Sequence, residues 1–182
     1  MRHQASLLAL IFFASVATSA IAQPEKCTIR DLPKGIADII RSKYAGWKPE
    51  QISDLSSDDR ELWVKAHSNS CPGITSGHFD VANRVEYAVL IVKNGNRDGG
   101  YKLLIFRQDS SGSLNVNTLT HAEGVLGSGP VISHVPPGEY SDPESGKSVK
   151  TKLDSVLLEW IEAAAQLYYW TGTKFQKLQV ED

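Results

Sequence analysis

The sequence predicts an α+β fold: two N-terminal helices packed on a curved antiparallel sheet of six to seven strands. Three observations predict it. Apolar residues recur at helical spacing early in the globular part, at Leu32, Ile36, Ile39, Ile40 and Tyr44. From residue 74 onward, short runs rich in β-branched and aromatic residues alternate with Gly, Asn, Asp and Ser clusters, as in an antiparallel meander. Two of those runs, 87–92 and 103–106, are apolar without alternation. Strands of that kind are buried on both faces, so the sheet needs two covers: the helices on one side, and a second layer, curvature or a partner on the other.

The chain of 182 residues opens on a segment that reads as an address rather than as part of the fold. Arg2 and His3 precede an apolar run from Leu7 to Ala17, and Ala20 and Ala22 place small residues where a signal peptidase cuts. The run is shorter than the roughly 20 residues a membrane-spanning helix requires. Residues 1–22 are therefore expected to be a signal peptide, and residues 23–182 a single globular domain, periplasmic or secreted, with no membrane span after cleavage. Arg2 is the only acidic or basic residue removed, which leaves 160 residues at a net charge of −3. That balance offers no electrostatic handle on nucleic acid. The two cysteines, Cys27 and Cys71, are expected to form a disulfide in an oxidising compartment. No CxxC motif suggests a reactive thiol.

The first helix runs from Leu32 to Tyr44, with Asp31 as its cap, Pro33 in its first turn and Gly46 beyond its end. Trp47, Ile52 and Leu55 then read as a connector. Asp58 with Glu61 three residues on resembles a capping box for a second helix, whose inward side is Leu62, Trp63 and Ala66. The acidic cluster of Asp54, Asp58, Asp59 and Glu61 reads as a solvated helix start, because calcium loops space their ligands differently. Strands follow at 74–79, 85–93, 101–108 and 114–121, separated by the turn signals of 94–100 and 109–113. Residues 122–150 are loop-rich, with only Val131–Val135 reading as a strand. The final segment fits a helical period through Val156, Trp160 and Ala164. The aromatics and the Thr171-Gly172-Thr173 turn favour strands at 155–162, 165–170 and 174–180 instead. In the second of these, Leu167 and Tyr169 face one way and Tyr168 and Trp170 the other.

Cys71-Pro72-Gly73, Gly77-His78-Phe79-Asp80 and Glu86-Tyr87-Ala88-Val89-Leu90 resemble a loose group of small secreted bacterial proteins of unassigned function. So do Pro137-Gly138-Glu139-Tyr140 and the stretch from Glu162 through Tyr168 to Phe175. The middle stretch is also similar to an FG-GAP or VCBS repeat, in which a loop rich in Asp precedes an apolar strand and holds calcium. Gly77, Phe79, Asp80 and Glu86 fit that pattern; His78, Val81 and Ala82 replace its acidic part. The resemblance implies strand–loop–strand geometry and no activity, and the missing carboxylates argue against a metal.

No catalytic signature stands out. His67, His78, His121 and His134 have no close metal-ligand spacing, and His78 reads as a surface partner of Asp80. His121 and His134 flank a Gly-rich loop and would make a serine hydrolase site with Ser128, although Leu126–Pro130 is not a nucleophile elbow. Glu159, Glu162 and Asp154 would serve a glycosidase only if the last segment were helical. Trp160, Tyr168, Tyr169, Trp170 and Phe175 form the densest aromatic group, which reads as sheet core or as a recognition surface. The favoured function is a non-catalytic binding or interaction module without cofactor or metal. It would engage a protein or envelope component, in one version as the inhibitor or neutraliser of a partner protein. The alternatives are a small extracytoplasmic hydrolase built on the His and Ser loop, and an envelope protein with weak calcium dependence.

Overall fold

The computed structural model describes residues 27–68, 70–94, 99–109, 111–124 and 129–181. The expected signal peptide, residues 1–22, lies outside the described residues, as does Ser128. Most of the described chain is antiparallel sheet, joined by two helices. Helix α1 spans Lys34–Lys43 and α2 spans Ser57–His67. The strands are β1 (Trp47–Pro49), β2 (Ile74–Gly77), β3 (Glu86–Lys93), β4 (Tyr101–Gln108), β5 (Leu114–Ala122), β6 (Val131–Val135), β7 (Glu139–Ser141), β8 (Ser148–Lys150), β9 (Ser155–Trp160), β10 (Ala164–Trp170) and β11 (Phe175–Glu181). They form three sheets, not the single sheet of six to seven strands expected. One sheet runs β1-β3-β4-β5 with β2 also on β3; one runs β11-β10-β9-β6; β7 and β8 form a hairpin.

The apolar strands explain the layering. In β3, Ala88 and Leu90 point into one core while Val89 and Ile91 point into another; in β4, Leu103 and Ile105 oppose Leu104 and Phe106 in the same way. The register pairs like with like, Ala88 with Ile105 and Val89 with Leu104. On one face α1 lays Ile36, Ala37 and Ile40, with Leu32 just before it, over Val89, Ile91, Leu104 and Phe106. On the other, Ile132, Val156, Leu158 and Tyr168 of the four-stranded sheet close the main core. Both covers that the non-alternating strands demand are thus present, one helical and one a second sheet.

Of the two helices, only α1 covers the five-stranded sheet. Helix α2 instead packs Trp63 with Leu55 and Val131 in a separate small cluster. The caps differ from expectation too. Pro33 occupies the cap position of α1 without a side-chain bond, while Asp31 closes a 3-10 turn with Thr28. Ser56, rather than Asp58, caps α2 by accepting the Asp59 N–H. The outer face of the four-stranded sheet carries Leu167, Tyr169 and Leu178, covered by Tyr140 and Val149 of the β7–β8 hairpin.

Strands β1 and β2 share one edge of β3 end to end. At their junction Glu50 N–H donates to Leu90 O, and Leu90 N–H donates to Gly73 O. The chains approach so closely that a Cβ on Gly73 would stand 2.4 Å from Glu50 N. The Cys27–Cys71 disulfide, with Cα atoms 5.2 Å apart, ties the same junction together, and it suits an oxidising, extracytoplasmic setting. Among the described residues no helix is long and apolar enough to cross a membrane.

Candidate functional site

The two packed sheets are closed along one side and open along the other. The closed side is the seam between β2 and β6. Ile132 N–H donates to Pro72 O across it. Beyond β2, the Asp154 carboxylate accepts the His78 N–H at 2.7 Å, and the Asp154 backbone N–H donates to His78 O. His78 Nδ1 lies 3.4 Å from one carboxylate oxygen and His134 Nε2 lies 3.2 Å from the other. Burial pushes the Asp154 carboxyl up, but the His78 N–H and the His134 imidazole outweigh it, leaving it below its ordinary value. His78 therefore faces Asp154, not the neighbouring Asp80 as expected.

The open side lies between the edge strands β5 and β11. A cleft of about 420 Å3 runs there, lined by Arg107, Asn117, Trp170, Lys174, Phe175 and Lys177 among others, with Tyr168 at its floor. The apolar row Tyr101, Leu103, Ile105 on β4 ends in Arg107, two residues on and on the same face. A charge thus stands where the core meets water. Its guanidinium lies 5.1 Å from the Trp170 ring centre and 5.7 Å from that of Phe175 on the facing sheet. Those two rings are 5.0 Å apart and tilted. One amino group of Arg107 donates to Asp80 at 3.0 Å and the other to Asn117 at 2.9 Å. The rings desolvate the cation while the two acceptors hold it, which fixes its position.

Behind Arg107 stands an acidic pair, Glu86 buried and Asp80 half-buried. Glu86 is 2 % exposed and its carboxylate accepts the Asp80 N–H at 2.7 Å. Arg84 reaches Asp80 at 3.2 Å and Glu86 at 3.5 Å. Burial, then the adjoining Asp80 carboxyl, pushes Glu86 up to about 7. Burial also acts to raise Asp80, but its hydrogen bonds with Glu86 and Arg107 bring it below its ordinary value. The pair shares a hydrogen bond and its last proton sits on Glu86. These are the two carboxylates that fit the repeat pattern expected from the sequence. Here arginines satisfy them, and among the described residues no group of three or more His, Cys, Asp or Glu is placed to hold a metal ion.

The five aromatics do not form one surface. Tyr168, Trp170 and Phe175 face the cleft, Tyr168 from within the main core. Tyr169 points to the opposite face of its sheet. Trp160 packs edge-on against Tyr101 at 5.9 Å. His121 and His134 are not brought together. His121 pairs with Lys102 on β5, three strand spacings from β2, or roughly 14 Å, whereas His134 sits at the closed seam. Glu159 and Glu162 do line a common hollow of about 460 Å3 beside α2, while Asp154 belongs to the histidine seam. Glu162 is exposed and Glu159 half-buried, so neither is withdrawn from water as a glycosidase acid requires. Arg107, Asn117, Lys174 and Lys177 were not singled out by the sequence. The one available signal was an arginine closing an otherwise apolar strand.

Compared with known proteins, the chain matches no family model, no curated protein and no solved structure.

Proposed function

We propose that this chain is a non-catalytic interaction module of the periplasm or extracellular space, and that the cleft between β5 and β11 is its binding surface. One observation carries the reading. The cleft combines a rigidly held guanidinium, two further cations and an aromatic pair, with no Asp or Glu in its lining. Aromatic and arginine side chains at a mouth of this kind supply large, preordered contact area, the usual composition of strong interface anchors. The disulfide supports the extracytoplasmic setting. Residues 74–93 are read as a degraded repeat of the FG-GAP or VCBS type. The strand–loop–strand of β2 and β3 supports that geometry, and the arginine-bound Asp80 and Glu86 support loss of the metal.

Capture of a partner from envelope extract by the exported chain, residues 23–182, tests the reading. Thr173 is exposed on the cleft wall, and Thr173→Trp fills the cleft without touching the core. Ser145 is exposed in the β7–β8 turn, so Ser145→Trp is the control. The reading expects capture to be lost with T173W and kept with S145W. Capture unchanged by T173W would overturn it, and turnover of ester, peptide or glycoside substrates by the purified chain would move it to the enzymes.

A further inference from the structure

Both strands that flank the cleft are sheet edges. β5 ends the five-stranded sheet and β11 ends the four-stranded one, with no further strand hydrogen-bonded to either among the described residues; the β7–β8 hairpin packs on the outer face by β11. Alternate N–H and C=O groups along such an edge point outward and can pair with an incoming strand. The two edges are not equivalent. β5 is irregular in mid-strand, where its register against Leu103 and Leu104 shifts, and a bulge bends the strand and interrupts the even spacing a new neighbour would follow. In β11 the only shift lies at the far end, opposite Ala165 and Gln166, so Phe175–Leu178 is regular along the cleft.

Charge distinguishes them as well. Lys174 and Lys177 are exposed beside and on β11, and both line the cleft. Among the described residues neither is in an ion pair. Lysines on an edge repel a second copy of the same edge and any basic strand, but they attract a strand bearing carboxylates on its facing side. The chain as a whole carries −2, so two lysines outside any ion pair, beside an Arg107 held by Asp80 and with no acidic residue in the lining, reverse the local sign. The rings are also committed. Arg107 occupies the faces of Trp170 and Phe175 turned toward it, which removes the open platform a stacked sugar would use and leaves a fixed positive charge in its place.

We propose that β11 is a strand-addition site for an extended acidic segment of a partner polypeptide, which pairs with the free edge and sets its carboxylates against Lys174, Lys177 and Arg107. The proposal rests on the cleft being the binding surface, and it names the chemistry of what binds there. Strand addition takes affinity from main-chain hydrogen bonds and selectivity from alternate side chains. Here the alternate side chains are selected by charge.

The probe is a fluorescein-labelled, capped eight-residue peptide of alternating Glu and Val, added to the exported chain and followed by anisotropy. Saturable binding is expected, weakened by added salt and by about tenfold or more in the double variant K174E/K177E. Both lysines are exposed, and circular dichroism checks that the variant is folded. A Lys–Val peptide of the same length is expected not to bind. The Glu–Val peptide with alternate backbone amides N-methylated is also expected not to bind, because methylation removes the ladder donors. Equal binding of the Lys–Val or N-methylated peptide, unchanged affinity in K174E/K177E, or binding of a heparin oligosaccharide in place of the peptide would overturn the proposal. If T173W abolishes partner capture while the Glu–Val peptide fails to bind, the strand-addition proposal falls and the cleft reading survives. If T173W leaves capture unchanged, the cleft reading is what failed.

Discussion

Replacing Glu86 by glutamine should make the protein more stable, by an amount that grows as pH rises from about 4.5 to about 7. Glu86 is buried beside Asp80 and titrates at about 7, where a free glutamate titrates at 4.5. Below 4.5 both the folded and the unfolded chain hold the proton. Between 4.5 and 7 the unfolded chain releases it and the folded chain keeps it, so this group lowers stability as pH rises, and the penalty is complete above about 7. At about 1.36 kcal/mol per pH unit the full penalty is roughly 3 kcal/mol. Asp80 works in the opposite direction. It is held below its ordinary value, so it adds stability above that value and loses it as pH falls. Sharing between the two brings the net effect of Glu86→Gln to about 1–3 kcal/mol of gain at pH 8.5, falling below about 1 kcal/mol at pH 5. Glutamine keeps the geometry: its carbonyl can accept the Asp80 N–H as Glu86 does, and its amide donates to the Asp80 carboxylate as the proton does. Urea denaturation at the two pH values reads the effect directly. Thermal midpoints should rise by about 2–4 °C per kcal/mol. Destabilisation of E86Q at pH 8.5, or an equal change at both pH values, would refute the assignment of the proton to Glu86.

Gly73 and Gly35 should respond oppositely to alanine. A Cβ at Gly73 meets the Glu50 backbone at 2.4–2.5 Å, so G73A must part the β1–β2 junction and cost about 3 kcal/mol or more. A Cβ at Gly35 meets only Leu114 Cδ2 at 3.4 Å, so G35A in α1 should gain about 0.5–1 kcal/mol, and denaturation midpoints separate the two. Asp154 adds stability above its ordinary value that is lost as pH falls through its lowered one. D154N should therefore cost about 1–2 kcal/mol at pH 7, the worth of a charge-assisted bond to the His78 N–H, with the deficit closing as pH falls toward 3. A deficit that does not change with pH would assign Asp154 a packing role alone.

What was legible in the sequence was whatever a single strand announces by itself. Residues 87–92 and 103–106 cannot alternate, so the two-sided cover of the five-stranded sheet followed from them. Tyr168 with Trp170 and Leu167 with Tyr169 went to opposite faces, as their parity requires. The Cys27–Cys71 pairing needed only a compartment and a count. Strands β1, β7 and β8 are three residues long, too short to show a period, and two of them lie in a stretch dominated by Gly, Pro and Ser. Without them a single sheet was the simplest arrangement. The packing of α2 was hidden because Leu62, Trp63 and Ala66 would suit any apolar partner. The cleft was least visible. Its cations come from β4 and from the start of β11, its amide from β5 and its rings from β10 and β11, and Asp80 is 27 residues from the arginine it holds. Only the stacking of two sheets with one open side brings these together.

The central claim is that the open side of the sandwich is where the chain meets its partner. Photo-crosslinking tests it most directly: a benzophenone side chain at Asn117, exposed on the β5 wall of the cleft, compared with the same group at Glu144, in the exposed β7–β8 turn, each irradiated in living cells that produce the protein. A discrete covalent adduct from position 117, absent from position 144 and competed away by the Glu–Val peptide, is the expected result. Adducts formed equally from both positions, or from position 144 alone, would contradict the account.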